Sequence, residues 1–372
     1  MSYYGVSFEP YVGPWVGGQP VLFNGYSLAD VTALLQAIAP SFGRIATYGQ
    51  GTFVWQGNPI VQDSNKWNIQ AAAAAGLKVT AGCYQQGADP GGDSINVEWT
   101  KAEVDYAISQ AQVFPGVVDE LVIGSECIWG PNSAAAITAL ITYAKAQIES
   151  LGLQISVSTR QRWDVLAGVG NTTPGYATTR QAILDLLAAC DGFVYADIYP
   201  YFDPGIAAAI GPSPTQAQFT AAVTASFDGS YSALGTAFSS NGVTAAIRIG
   251  ETGWPTSGSQ PAQPNASIAN PTYAQWHYEA ISAYLASNSI KGFVFEAYDE
   301  PWKGDQAGDN SEAFFGIWTA QGTAPTVSQF TLTGETQKYS LTPPKPPKPP
   351  QPNGCLGTIG AGVLSWLFGL SS

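Results

Sequence analysis

Two stretches, Asp119–Glu126 (DELVIGSE) and Ala245–Pro255 (AAIRIGETGWP), share one pattern: an apolar run ends in a glycine, and a glutamate stands at or next to it. A short, near-continuous apolar run suits a strand buried on both faces, as in a parallel sheet covered by helices. Working outward from these two stretches, similar runs recur along the chain. They predict eight strands, at Tyr4–Phe8, Arg44–Thr47, Lys78–Ala81, Glu120–Ile123, Gln154–Val157, Gly192–Ala196, Ala245–Ile249 and Gly292–Phe295. Helical patterns separate them, among them SLADVTALLQAIA (27–39), KAEVDYAISQAQVF (101–114) and SAAAITALITYAKAQIESLG (133–152). Eight strands alternating with helices over roughly 300 residues is the pattern of a (β/α)8 TIM barrel. An open doubly wound sheet has fewer strands at this length and often a Gly-rich first loop, which is missing.

The expectation is therefore an α/β protein with a single catalytic barrel domain over 1–340. LTPPKPPKPPQPNG (341–354) reads as a Pro-rich, polyproline-type linker, and CLGTIGAGVLSWLFGLSS (355–372) as a short apolar tail. The tail falls short of the ~20 apolar residues that span a bilayer. It is expected to dock on a membrane surface or a partner protein, or to stay poorly ordered. The opening MSYYGVSFEPY has no basic segment followed by an apolar one, so no secretory signal is read there.

Composition narrows the chemistry. Acidic residues outnumber basic ones 27 to 14, for a net charge of −13, which repels phosphate backbones and argues against nucleic acid as a partner. The single histidine, His277, and four cysteines leave little for a zinc site or a Ser–His–Asp triad. His277 is read as a surface position on an amphipathic helix over 270–285, without a catalytic role. No GxxxxGK[ST] loop or convincing GxGxxG is present. No cofactor or metal is expected, so chemistry falls to carboxylates. Aromatics reach 12%, with 11 Trp and 18 Tyr, more than a core needs and suited to the apolar faces of sugars.

A barrel of this kind builds its site at the C-terminal ends of the strands. The residues just after the predicted strands are polar or aromatic: Glu9, Tyr48, Tyr84, Ser125, Glu126, Trp129, Trp163, Asp197, Tyr199, Tyr201, Glu251, Trp254, Glu296 and Glu300. Glycosidic cleavage needs two carboxyl groups flanking the bond, one to protonate the leaving oxygen and one to attack or to activate water. Glu126 and Glu251 are the candidates. The bland reading pairs each with Arg160, Arg162 or Arg248. Arg160 and Arg162 read either as contacts for an acidic sugar or as salt bridges within the rim. Cys83 and Cys127 follow adjacent strands, and the spacing leaves open a bridge or two free thiols.

At these residues the chain resembles glycoside hydrolase family 17, the β-1,3-glucanases of clan A, over most of residues 1–320. The resemblance is carried by GETGWPTSG (250–258), YADIYPYF (195–202) and FVFEAYDEPWKGD (293–305) followed by EAFFGIW (312–318), with GVSFEPY (5–11) and RIATYGQ (44–50) in support. It implies a retaining double displacement on β-glucan, chiefly β-1,3-linked, by hydrolysis or transfer. Glu251 would be the nucleophile, Glu126 the acid/base and Tyr199 the tyrosine beside the nucleophile; Glu300, Lys303 and Glu312 would line the cleft. The substrate class suggests an extracellular or surface role. Three departures stand out. Gly124-Ser125-Glu126 replaces the usual Gly-Asn-Glu, Asp197 replaces the strand-six asparagine, and Phe314 replaces a histidine common before Phe-Gly. The altered surroundings leave a catalytically weak glycan-binding protein as an alternative, and the tail a docked structural one.

Overall fold

A computed structural model describes residues 3–55, 58–86, 92–168, 176–259, 268–304 and 310–341. Eight parallel strands form its centre: β1 Gly5–Ser7, β2 Arg44–Ala46, β3 Lys78–Cys83, β4 Val118–Ser125, β5 Ser156–Arg162, β6 Phe193–Asp197, β7 Ala246–Glu251 and β8 Phe293–Val294. They pair in the order β7-β6-β5-β4-β3-β2-β1-β8. A parallel bridge between Ile249 and Gly292 joins the two ends of the sheet, so the strands close as the expected (β/α)8 barrel.

Alternation along the strands divides the core. Outward residues such as Ile45, Val79, Leu121 and Val194 join the large helix–strand core. Ala46, Val122, Phe193, Tyr195 and Phe293 form a separate cluster that fills the barrel interior. Below it, at the N-terminal end, Glu120 is buried among donors. Arg248 Nη1 lies 2.6 Å from Oε1, and Thr80 Oγ1 and Tyr195 OH each donate to Oε2 at 2.7 Å. Burial alone would raise this carboxyl, but those hydrogen bonds and the charges of Arg44 and Arg248 bring it below its ordinary value.

Helices fill each of the seven connections between successive strands, from Leu28–Ile38 to Pro271–Ser287, nine α-helices among the described residues. Side-chain caps fix where several begin: Ser27 and Asp30 form a capping box, and Asn96, Thr215 and Asn270 each accept a backbone N–H of the first turn. After β8 the hairpin Trp318–Thr326/Gln329–Gln337 takes the place where an eighth helix would pack. It lies on helix Leu28–Ile38, tied by the Leu332 N–H donated to Asp30 Oδ1 at 2.9 Å.

Two expectations need correction. The fifth strand was expected at Gln154–Val157, yet it runs from Ser156 to Arg162. Its later residues are polar but buried, with hydrogen bonds to neighbouring strands in place of apolar contacts, so a search for apolar runs stops too early. His277 is not on the surface: it is 1% exposed, tilted against the Trp254 ring and 3.4 Å from Thr252 Oγ1. The helix Pro271–Ser287 carries aromatics on several sides, which blurs the face that meets the barrel. Of the expected linker (341–354) and tail (355–372), only Leu341, which is buried, is among the described residues.

Burial lowers His277 from 6.5 to about 3, so the folded protein keeps it neutral. As pH falls below 6.5 the unfolded chain takes up a proton that the folded chain refuses, and stability is lost down to about 3. The difference in unfolding free energy between wild type and His277→Gln, measured by urea titration, should therefore fall by about 1.4 kcal/mol per pH unit below the unfolded pKa. A difference that stays constant from pH 7 to pH 4 would contradict a neutral buried ring.

Candidate active site

The end of β4 is bent sharply. Gly124 has φ 74, and a side chain there would meet Cys127 Sγ at 2.7 Å and Ile137 Cδ1 at 2.8 Å. Glu126 follows with φ 49, a left-handed conformation that a residue with a side chain adopts at a cost and that clusters at functional sites. Neighbours hold it there. Gln85 clamps Ser125, accepting its N–H at 2.9 Å and donating to its carbonyl at 2.8 Å. The Glu126 N–H bonds the Arg160 carbonyl at 3.1 Å, and the Cys127 N–H bonds Gln161 Oε1 at 3.0 Å.

Glu251 ends β7 and is buried. Tyr199 OH donates to its Oε2 at 2.8 Å, and Arg160 Nε lies 3.4 Å from its Oε1. The same Arg160 Nε donates to Ser125 Oγ at 2.9 Å, while the guanidinium stands 3.9 Å over the Tyr48 ring. Asp197, at the end of β6, is in register with Glu251. Gly250 makes this possible: a side chain there would strike Asp197 Oδ1 and come within 2.6 Å of Arg160 Cδ.

A cavity of about 770 Å³ opens over these groups, and Glu126, Trp163, Asp197, Tyr199, Glu251 and Glu312 line it. The cleft walls, and then the charge of Glu251, push the Glu126 carboxyl up to about 7, although the residue's outer face stays open to solvent. A second cavity of about 640 Å³ lies over the ends of β1 to β3, where Glu9 and Tyr84 meet the aromatic rings of Tyr11, Phe23, Trp99 and Trp302.

Other expected contacts are placed differently. Tyr201 is 0% and Trp254 2% exposed; the two rings meet edge to face beneath the cleft, so neither reaches a sugar. Glu296 and Glu300 are buried behind the wall, where Lys303 Nζ lies 3.0 Å from Glu296 Oε2 and 2.7 Å from Glu300 Oε2. These three form one ion cluster and not an open lining. Tyr48 lies beneath Arg160, and the Ser125 hydroxyl is already engaged by the same guanidinium. Trp129 is 45% exposed and lines neither cavity.

Both arginines of the rim form salt bridges, Arg160 to Glu251 and Arg162 Nη2 to Asp164 Oδ2 at 2.5 Å, and Arg162 also lines the main cavity with its side chain half exposed. Arg248 is engaged at the opposite end of the barrel. Cys83 and Cys127 are buried free thiols. Sequence reasoning missed Asp164, Asp203, Ser226 and Ser230, which also line the main cavity. The two aspartates follow the ends of β5 and β6 and were open to the same strand-end search. The serines sit mid-helix in Gln216–Ser240, where nothing local marks a helix that reaches the cleft.

With this geometry in view, the family model of the BtgE/BtgC glycoside hydrolase domain matches residues 24–316. The chain belongs to this family. A glucan 1,3-beta-glucosidase of Schizosaccharomyces pombe is 25% identical over 201 residues, 54% of either chain, so this glycoside hydrolase domain spans about half of that relative. Another, of Candida albicans, is 26% identical over 263 residues, covering 68% of this chain and 74% of that protein. Among solved structures, an endo-laminarinase from Formosa Hel1_33_131 superposes with a TM-score of 0.64 at 19% identity, over 85% of this chain and 83% of that one. The glycoside hydrolase family 17 beta-1,3-glucanosyltransferase of Rhizomucor miehei gives 0.56 at 18%, over 85% and 92%. These neighbours share the barrel, in line with the family 17 resemblance read from the sequence.

The crowding at Gly250 has a measurable consequence for this glycoside hydrolase domain. Gly250→Ala should cost about 1–3 kcal/mol by urea unfolding, because the added methyl displaces Arg160 and Asp197. An unchanged unfolding midpoint would show that the neck between β6 and β7 is looser than drawn.

Proposed function

We propose that the domain cleaves β-glucan, chiefly β-1,3-linked, by a retaining double displacement with Glu251 as nucleophile and Glu126 as general acid/base. The observation that carries this reading is the pair itself: two glutamates at the ends of β4 and β7 open on one cavity, and their environments differ. Glu251 is oriented by Tyr199 and Arg160. Glu126 has neither of these partners and holds its proton up to about 7. Paired carboxyls whose surroundings differ in this way divide into acid and nucleophile. Glu126 would protonate the leaving oxygen while Glu251 attacks the anomeric carbon. Water, deprotonated by Glu126, would then release the sugar. The relatives named glucan 1,3-beta-glucosidase, the endo-laminarinase and the glucanosyltransferase support the substrate class. The carboxylates of the main cavity, and arginines already paired, favour a neutral polysaccharide.

A second reading, a glycan-binding barrel with little turnover, draws on one observation. The Ser125 hydroxyl next to Glu126 is taken by Arg160 and is not free for the sugar.

Reducing-sugar release from laminarin decides between them. Wild type should release sugar, Glu251→Ala should release none, and Glu126→Ala should turn over roughly 10²–10⁴-fold more slowly. The alkaline limb of kcat/KM should fall near pH 7, the value at which Glu126 loses its proton. Binding of laminarin without release by the wild type would overturn the hydrolase reading in favour of the second.

A further inference from the structure

Asp197 is 3% exposed at the floor of the main cavity, and among the described residues no N–H or O–H lies within hydrogen-bond distance of either of its oxygens. That is an unusual place for a charged carboxylate, since a buried ion without a partner is among the costliest features a fold can carry. Its surroundings add to the difficulty. Glu251 stands in register on β7, and the Glu126 carboxyl faces it from the end of β4. The cations nearby are spent. Arg160 on β5 turns its Nε to Ser125 and Glu251 and presents only the methylene stem to the Gly250–Asp197 neck. Arg162 at the end of the same strand is bridged to Asp164. The remaining titratable neighbours, Tyr199 and Tyr48, lie on Glu251 and beneath Arg160. Three ionised carboxylates around one buried guanidinium would leave two negative charges uncompensated.

Two facing carboxyl groups bond to one another only when one of them keeps its proton. We infer that Asp197 is a neutral carboxylic acid whose O–H is donated to Glu126, so that it is a positioning residue for the acid/base and not a third charge in the cleft. This rests on the proposed role of Glu126. Burial, and then the charges of Glu251 and Glu126, hold the Asp197 carboxyl well above the usual carboxylate range, in agreement with the geometry.

The consequence lies in the second half of the reaction. Glu126 gives its proton to the leaving oxygen and becomes a carboxylate. The Asp197 O–H then donates to that carboxylate and holds it in place as base for the incoming water. When water attacks the anomeric carbon its proton passes to Glu126, the ester bond to Glu251 breaks, and Glu251 leaves as carboxylate. The Asp197 proton is not transferred at any point.

The two charge states of Asp197 predict opposite signs. If Asp197 is neutral and donates, Asp197→Ala removes a donor from ionised Glu126, and the alkaline limb of kcat/KM on laminarin moves up by about one pH unit. Asp197→Asn replaces one neutral donor by another, so the limb stays within a few tenths of a unit while kcat falls less than tenfold. If Asp197 is ionised, either substitution deletes a negative charge and moves the limb down, which would overturn the inference. An infrared difference spectrum of wild type minus Asp197→Asn at pH 7 reads the same proton without any turnover. A carboxylic-acid C=O band present only in wild type is expected, and its absence would also overturn the inference. If wild type hydrolyses no glucan, the proposed function fails, and the infrared result still decides the state of Asp197.

Discussion

One buried guanidinium holds the catalytic end of this barrel together. Arg160 projects from β5 and reaches Ser125 on β4, the ring of Tyr48 beyond β2 and Glu251 on β7. Burial opposes its charge, but the surrounding tyrosines and carboxyls outweigh that penalty. Several features of the site are arranged around this cation. Its contact with Ser125 occupies the hydroxyl beside Glu126, and its carbonyl receives the N–H of Glu126 in the strained turn. Its stem leaves room for Asp197 only because residue 250 is a glycine.

The two ends of the barrel use the same chemistry for different purposes. At the N-terminal end Glu120 is surrounded by donors and by Arg44 and Arg248, so its charge is fully answered. Such a closed network specifies a fold and offers nothing to a substrate. At the C-terminal end the carboxyls outnumber the cations, and Glu126 and Asp197 are held above their ordinary values. Protons remain there that the protein itself does not consume. That contrast between an answered and an unanswered cluster is the physical difference between a structural end and a reactive one.

Much of this was legible in the sequence, for identifiable reasons. The barrel follows from apolar runs at regular spacing, and both glutamates follow from a glycine that ends an apolar run. The fifth strand was misplaced because Ser158, Thr159, Arg160 and Gln161 are polar yet buried, satisfied by contacts to neighbouring strands and the loop after β4 that no local pattern reveals. Tyr201 and Trp254 were expected in the cleft because they follow strands, but Tyr201 falls in the helical turn Pro200–Phe202 and both rings are buried against each other under the rim. His277 misled for the converse reason, since a lone histidine among aromatics gives no sign of which face meets the core. The hairpin Trp318–Gln337, which stands in for an eighth helix, has alternating exposure and few long apolar runs.

The stereochemistry of the first product is the most direct test of the whole account. Proton NMR of a laminarin oligosaccharide during its first minutes of hydrolysis distinguishes the anomers before mutarotation mixes them. Direct attack by Glu251 predicts that the β-anomer appears first and the α-anomer only later. Initial release of the α-anomer would mean that water, and not Glu251, attacks the sugar, and the roles assigned to the two glutamates would have to be given up.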